Sequence, residues 1–255
     1  MKDLYKEDFC EFVKKALWER NQQILNEFNK RKCPDIVVGE SGVFWFDRKE
    51  RKKQKDKLEV ELSNKKSKEK RIVIVLESPH KDEFMNAKNR SDFFDENICS
   101  NPALGRSGTN LQKYFNDEIV RKKLQVHGKY RVILMNSIQY QCSLGQSEGC
   151  YRDYIWLKYW YQEKGKECFI ERLRDYKPDI IVNLCTKGNC KKNNIIKWVG
   201  RDTYEKLKLN KCELSLREIV SAQIEEELKG KIIYEGNHPC SWKTQNDIDN
   251  ISLRG

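Results

Sequence analysis

The sequence has none of the long apolar segments that mark membrane proteins. Its longest aliphatic run, residues 72–76 (IVIVL), has five residues, whereas a membrane-spanning helix needs about 20. The first five residues (MKDLY) are charged from the second position and contain no apolar stretch of the kind found in a secretion signal. Ten cysteines in a 255-residue chain indicate buried, reduced thiols rather than a disulfide framework. We therefore expect a soluble, cytoplasmic protein with no membrane partner.

Acidic residues are in the minority, with 39 Asp and Glu against 50 Lys and Arg, and the net charge is +11. Such an excess points to a polyanionic partner, most simply DNA or another nucleic acid. The charge is concentrated between residues 48 and 71, which hold twelve basic and five acidic side chains. This segment is either an arm that follows phosphates or a solvated helix or linker. With 38% hydrophobic residues, the chain is too apolar to be wholly disordered.

The sequence contains no internal repeat, and its first part differs in pattern from the rest. Apolar residues at helical spacing predict an amphipathic helix over residues 5–30. The pattern that follows predicts two short strands around a turn, at residues 36–38 and 43–46. We assign residues 1–70 to an N-terminal helix, hairpin and basic arm, and residues 71–255 to the main domain. The sequence leaves open whether the extension packs on that domain.

Four short runs of branched aliphatic residues follow, separated by segments with helical spacing. Nearly continuous apolar runs are typical of parallel strands that are buried on both faces. Their alternation with helices indicates right-handed β-α-β crossovers. We therefore expect an α/β fold, a three-layer α/β/α domain with a central four-stranded parallel sheet. The runs are 72–76, 132–135, 180–184 and 232–234, and the helical segments are 109–124, 151–176, 187–199 and 214–229.

Polar residues follow these strands at the carboxyl edge, where functional groups collect in parallel sheets. The first run is followed by Glu77, Ser78 and His80, the second by Asn136, and the fourth, after a short loop, by His238. Two of the three histidines in the chain thus lie close behind predicted strands. Residues 105–110 (GRSGTN) form a turn ahead of a helix, where backbone N–H groups can bind a phosphate.

The order of these motifs resembles the uracil-DNA glycosylase superfamily, and its thermophilic-type branch in particular. The resemblance covers residues 71–245 and implies a four-stranded parallel sheet between helices and a DNA glycosylase activity. It also implies that His238 stabilises the departing base and that Asn136 reads the edge of a flipped base. The residue types suit those roles, although His238 could instead satisfy a backbone carbonyl and Asn136 could cap a turn. The matching segments are 76–80 (LESPH), 103–108 (ALGRSG), 132–136 (VILMN), 177–182 (KPDIIV) and 237–239 (NHP).

Two positions depart from the family pattern. Ser78 stands where some branches have an Asp or Asn that activates water, and a serine is not a strong base. We expect Glu77 to orient the water, directly or through His80, unless it caps the following helix. Ala103 stands where the family has a Phe that stacks on the base. Without that aromatic ring, the pocket for the base is either degraded or enlarged, and Tyr140 is a candidate residue for its wall.

Other residues are candidates for contact with DNA or a metal. Arg106, Ser107 and Lys243 are placed to bind phosphates, and Trp242 either enters the duplex or is buried in the core. We expect no metal and no cofactor. An iron–sulfur cluster is conceivable on Cys10, Cys33, Cys142 and Cys168, but the spacing does not match that of the thermophilic-type branch. Cys185 and Cys190 form a metal half-site or are two core thiols.

These residues together predict a monofunctional DNA glycosylase. It would hydrolyse the N-glycosidic bond of a flipped, enlarged or modified pyrimidine and leave an abasic site, without an obligatory protein partner. A hydroxymethylated or glycosylated cytosine of viral DNA is the leading substrate, which would make the protein an antiviral defence factor. The alternatives are a catalytically silent DNA-binding reader on the same fold and an ordinary uracil-repair enzyme.

Overall fold

The structure is a computed structural model that describes residues 33–54, 69–79, 83, 101–140, 142, 152–162, 164–188 and 215–254. The predicted helix over residues 5–30 lies outside these ranges, and so do most of the lysine-rich run and His80. The helix predicted over 187–199 also lies outside them, apart from its first two residues.

The described strands form one mixed sheet of seven, in the order β2-β1-β4-β3-β5-β6-β7. Its centre, β4-β3-β5-β6, is parallel and consists of the four predicted aliphatic runs, so the α/β class is confirmed. Three short antiparallel strands, which the prediction of a four-stranded sheet did not include, extend this core at both edges. The strands are β1 (Ile36–Glu40), β2 (Val43–Phe44), β3 (Lys70–Leu76), β4 (Tyr130–Asn136), β5 (Ile180–Asn183), β6 (Ile232–Glu235) and β7 (Ser252–Leu253).

The predicted hairpin over 36–46 is present as β1 and β2. Its turn uses Ser41 and Gly42, both with positive φ, as tight hairpin turns require. Strand β1 also pairs antiparallel with β4 along most of its length. The hairpin, which the sequence assigned to the N-terminal extension, is therefore a part of the sheet of the main domain.

Apolar side chains cover both faces of the sheet because the central strands alternate between two buried clusters. On β3, Val73 and Val75 face one cluster, and Ile72, Ile74 and Leu76 face the other. The described helices are α1 (Arg48–Lys53), α2 (Arg106–Tyr114), α3 (Arg152–Gln162), α4 (Gly165–Tyr176), α5 (Leu216–Glu227) and α6 (Asn246–Asp249), with a π-helical turn (Ile119–Lys123) and a 3-10 turn (Pro239–Ser241). Helices α3, α4 and α5 cover the first face, and α2, the π-helical turn and α6 cover the second.

Two of the predicted helices are broken. The segment 109–124 is a helix that ends at Tyr114, followed by the separate π-helical turn. The segment 151–176 is two helices, because Lys164 has a positive φ of 58°. A Cβ on the next residue, Gly165, would lie 2.7 Å from the carbonyl oxygen of Tyr159, so only glycine fits this tight connection. Within the described residues, no helix is long and apolar enough to cross a membrane.

Candidate active site

Two of the predicted catalytic residues, Glu77 and His238, meet at the carboxyl edge of the sheet. Glu77 directly follows β3, and His238 lies three residues beyond the end of β6. Strand β5 lies between β3 and β6, so the loop after β6 must cross the end of β5. The Nε2 atom of His238 lies 3.0 Å from Oε2 of Glu77, which is an ion-pair distance. Among the described residues, that oxygen accepts no hydrogen bond of regular geometry.

The two side chains set each other's ionisation because Glu77 is buried and His238 is largely shielded, with 14% of its side chain exposed. Burial acts to raise the pKa of Glu77, but the charges of His238 and Arg152 outweigh it and lower this pKa to about 2. Burial acts to lower the pKa of His238, but the Glu77 carboxylate outweighs it and raises this pKa to about 10. At neutral pH the site therefore holds an ionised carboxylate against a protonated imidazole.

The backbone of Glu77 is held in place by the end of the neighbouring strand and by one helix. Its carbonyl oxygen accepts hydrogen bonds from the Ile138 N–H at 3.0 Å and from the Ser137 hydroxyl at 2.7 Å. The indole N–H of Trp156, a fully buried residue on α3, donates to the same oxygen at 3.0 Å. These three hydrogen bonds fix the backbone of Glu77, from which its carboxylate side chain extends.

His238 is held by the short turn that follows it. Its Nδ1 lies 3.3 Å from the backbone nitrogen of Cys240, and Ser241 donates its hydroxyl to the His238 carbonyl at 2.7 Å. Helix α2 supports the same turn, since the Asn110 amide donates to the carbonyls of Pro239 and Trp242 at 2.7 and 3.0 Å. The loop after β6 is thereby fastened to α2.

The structure corrects one of the two predictions for Trp242, that it enters the DNA duplex. Its side chain is 1% exposed and packs in the apolar cluster beside α2 and α6. Its indole N–H donates to the Asn237 carbonyl at 2.9 Å. A buried indole with a satisfied N–H supports the loop from beneath, as the core-burial alternative anticipated.

Asn136 ends β4 directly beside Leu76, the last residue of β3, and is buried. Its amide nitrogen lies 3.7 Å from the Cys33 sulfur, and that sulfur lies 3.9 Å from Glu83 Oε2. Burial, together with nearby carboxylates, raises the pKa of Cys33, so its S–H remains available to donate to Glu83. The sulfur is then an acceptor for Asn136. The amide oxygen Oδ1 is left buried and without a hydrogen-bond partner among the described residues.

Arg172, on α4, supports the end of β4 and was missed by the sequence analysis. Its Nη1 contacts both carboxylate oxygens of Asp35 at 2.7 and 2.6 Å. Its Nη2 donates to the carbonyls of Asn136 and Ser137 at 2.9 and 3.2 Å. The Tyr176 hydroxyl, one helical turn further on, donates to Asp35 at 2.8 Å. No local sequence signal links these residues, because Asp35 and Arg172 are 137 positions apart.

The two residues proposed to shape the base pocket are not brought together. Ala103 is 1% exposed and belongs to the apolar cluster beside α2. Tyr140 packs against the cluster on the opposite face of the sheet, with its ring stacked on Tyr159 at 5.3 Å between centroids. The fold therefore does not place both side chains in a single pocket. An enlarged pocket at Ala103 stays a prediction.

The remaining predicted residues lie around the same edge. Ser78 is buried beside the Cys142 thiol. Arg106 is exposed and Ser107 half-buried in the first turn of α2, the helix that fastens the His238 turn. Lys243 is exposed, and its carbonyl accepts the Tyr114 hydroxyl at 2.7 Å. These positions are compatible with phosphate contacts, which stay predictions.

The described cysteines are all free. Cys33, Cys142 and Cys185 are buried, whereas Cys168 and Cys240 are exposed. Across the described part of the chain, no three His, Cys, Asp or Glu side chains are grouped so that they could hold a metal ion. Cys10 and Cys190 lie outside the described residues.

Comparison with known protein families, with curated proteins and with solved structures found no match to this chain. Its fold and site define an α/β protein with a buried carboxylate and a half-buried imidazole in contact at the carboxyl edge of the parallel strands of a mixed sheet.

Proposed function

We propose that the protein is a monofunctional DNA glycosylase that hydrolyses the N-glycosidic bond of a flipped pyrimidine nucleotide. The observation that carries the proposal is the contact of the buried Glu77 with the half-buried His238, 3.0 Å apart, beside the end of β4 that holds Asn136. The resemblance to the uracil-DNA glycosylase superfamily adds support from motif order. The proposal includes a modified cytosine of viral DNA as the substrate and an antiviral defence role for the protein.

The charges of the pair match those that the reaction develops. Breaking the bond between base and deoxyribose leaves positive, oxocarbenium-like character on the sugar and negative charge on the departing base. In the proposed reaction, Glu77 faces the sugar as a carboxylate and orients the attacking water. His238 donates a hydrogen bond from the protonated ring to a carbonyl oxygen of the base. The lowered pKa of Glu77 and the raised pKa of His238 hold both groups in the required state.

The geometry restricts how a base can reach His238. The Nδ1 atom of the ring faces Cys240, so Nε2 is the atom that would donate to the base. Since Nε2 points to Glu77, substrate binding must break or share that contact. The carboxylate would then turn to the sugar while the ring turns to the base.

In this proposal, Asn136 recognises the base. Because its amide nitrogen faces Cys33, the unpartnered oxygen Oδ1 is the atom left for a ligand. An amide oxygen accepts an N–H, so the base must present a donor on its edge. The exocyclic amino group of a cytosine-type base and the ring N–H of uracil both qualify. Only a substrate panel separates these two.

The experiment is the release of bases from DNA that carries uracil, thymine, hydroxymethylcytosine or glucosylated hydroxymethylcytosine. EDTA is present, and alkaline cleavage of the abasic site is the readout. We expect one modified base to be released, and the release to be lost in Glu77→Gln and His238→Ala. The control variants Glu226→Gln and His127→Ala remove the same side-chain types from exposed positions and should retain activity.

The other outcomes are equally informative. Release of uracil alone would make the protein a repair enzyme and contradict the modified-base substrate. Binding of DNA without release of any base would make it a silent reader. In a parallel reaction without EDTA, strand cleavage that needs no alkali and is absent when EDTA is added would indicate a metal-dependent nuclease.

A further inference from the structure

Cys240 is an exposed thiol that contacts the imidazole of His238 on the side opposite Glu77. Its sulfur lies 2.9 Å from Nδ1 of His238, while Nε2 of the same ring lies 3.0 Å from Glu77 Oε2. Thiol, imidazole and carboxylate are thus in sequence across one ring. A protonated imidazole beside a thiol stabilises the thiolate, and the carboxylate on the other side keeps the ring protonated.

The turn fixes this contact. Cys240 is the middle residue of the 3-10 turn Pro239–Ser241, and its backbone nitrogen also lies 3.3 Å from Nδ1 of His238. The hydrogen bonds from Asn110 and Ser241 hold the ends of the same turn. The sulfur and the ring are therefore positioned by the backbone rather than by two free side chains.

The other described cysteines lack this setting. Burial raises the pKa of Cys33 and of Cys185 well above the usual value and that of Cys142 to about 12, so these thiols are shielded and protonated. Cys168 is exposed on α4, and it contacts no histidine ring within the part of the chain that the structure describes. It is a matched control for exposure without the imidazole.

We propose that Cys240 is a nucleophilic thiol site that takes small, soft electrophiles. In the reaction with the probe iodoacetamide, the S–H proton goes to solvent, the protonated ring of His238 stabilises the thiolate, and the sulfur attacks the CH₂ carbon. The S–C bond forms as the C–I bond breaks, and iodide leaves with the electron pair of that bond. The product places a bulky group on the sulfur beside the imidazole. Covalent modification would therefore act directly on the site of Glu77 and His238.

The test is competitive alkylation of the full chain with limiting iodoacetamide at neutral pH, resolved by mass spectrometry of the peptide that contains each cysteine. We expect Cys240 to react about tenfold faster than Cys168, because the imidazole 2.9 Å away stabilises the negative charge of the attacking sulfur. His238→Gln should lower the Cys240 rate to that of Cys168, and Glu77→Gln should lower it in part. His127→Gln should leave both rates unchanged.

Equal rates at Cys240 and Cys168 in the unaltered protein would overturn the proposal, as would an unchanged Cys240 rate in His238→Gln. The buried cysteines report folding in the same digest, since Cys33, Cys142 and Cys185 should stay unmodified in every folded variant. No DNA is present in the experiment. Its failure would therefore leave the proposed glycosylase untouched, and a failed glycosylase assay would leave the reactive thiol in place.

Discussion

Glu77 and His238 lie 161 positions apart in the sequence, yet Oε2 of the first is 3.0 Å from Nε2 of the second. Both follow parallel strands of one sheet, and those strands end at the same edge. Glu77 is buried and His238 half-buried, so solvent screens the pair weakly and each side chain determines the ionisation of the other. Its contribution to stability must consequently depend on pH.

We expect this contribution to be greatest between about pH 4.5 and 6.5, the ordinary pKa values of the two groups. The lowered pKa of Glu77 stabilises the fold above pH 4.5, and this contribution disappears as the pH falls toward 2. The raised pKa of His238 stabilises the fold below pH 6.5, and this contribution disappears as the pH rises toward 10. Urea unfolding of the unaltered protein and of His238→Gln should give a stability difference that shrinks between about pH 6.5 and 10. A difference that is constant over that range would contradict the assigned charges.

Arg172→Met should destabilise the protein by about 3 kcal/mol, because it leaves the buried Asp35 carboxylate without its bidentate partner. Arg174→Met on the same helix is the matched control. Its exposed ion pair with Glu227 should be worth less than about 1 kcal/mol. Urea unfolding measures both. Equal losses in the two variants would show that Arg172 does not anchor the end of β4.

Gly108→Ala should be far more harmful than Gly128→Ala. A Cβ at Gly108 would lie 1.8 Å from the carbonyl oxygen of Ala103, so the loop before α2 would have to move. We expect a loss of about 3 kcal/mol or more. Gly128 has a positive φ but nothing within 4 Å of a new Cβ, so its cost should be about 1 kcal/mol. Thermal unfolding of both variants compares them, and similar losses would contradict the close approach at Gly108.

The orientation of Asn136 can be tested through Cys33. Asn136→Ala should lower base release by about 10- to 100-fold, since it removes the acceptor proposed to read the base. Cys33→Ala should cause a smaller loss by freeing the amide, and Cys33→Ser should restore part of it because a hydroxyl can still accept from Asn136. Single-turnover release, with folding checked by urea unfolding, separates the three variants. Identical rates for Cys33→Ala and the unaltered protein would remove the positioning role.

The sequence analysis succeeded where burial imposes a pattern. The four parallel strands were predicted because residues buried on both faces of a sheet must be apolar, as Ile72 and Val73 on β3 illustrate. The meeting of Glu77 and His238 followed from strand ends sharing one edge. Long-range polar contacts carry no such pattern, and so the bond between Asp35 and Arg172 was not foreseen. The break at Lys164 was missed because its left-handed conformation depends on the close packing of Gly165 against Tyr159 and Ile138, which no apolar spacing reports.

The phosphate contacts proposed for Arg106 and Lys243 lead to a prediction that rests on position rather than on total charge. Both are exposed near α2 and the turn that carries His238. Each lysine or arginine that neutralises a phosphate adds about one unit to the slope of log binding constant against log salt. The double variant with Arg106→Ala and Lys243→Ala should therefore lower that slope by about two.

The control for this variant is Lys229→Ala combined with Lys231→Ala. These exposed lysines precede β6 and lie at the opposite, amino edge of the parallel strands. The two double variants lower the net charge equally, so a diffuse electrostatic attraction would change both slopes alike. A loss confined to the first variant would locate the DNA at the carboxyl edge beside Glu77 and His238. Equal losses would mean that the net charge of +11, and not this edge, accounts for the binding.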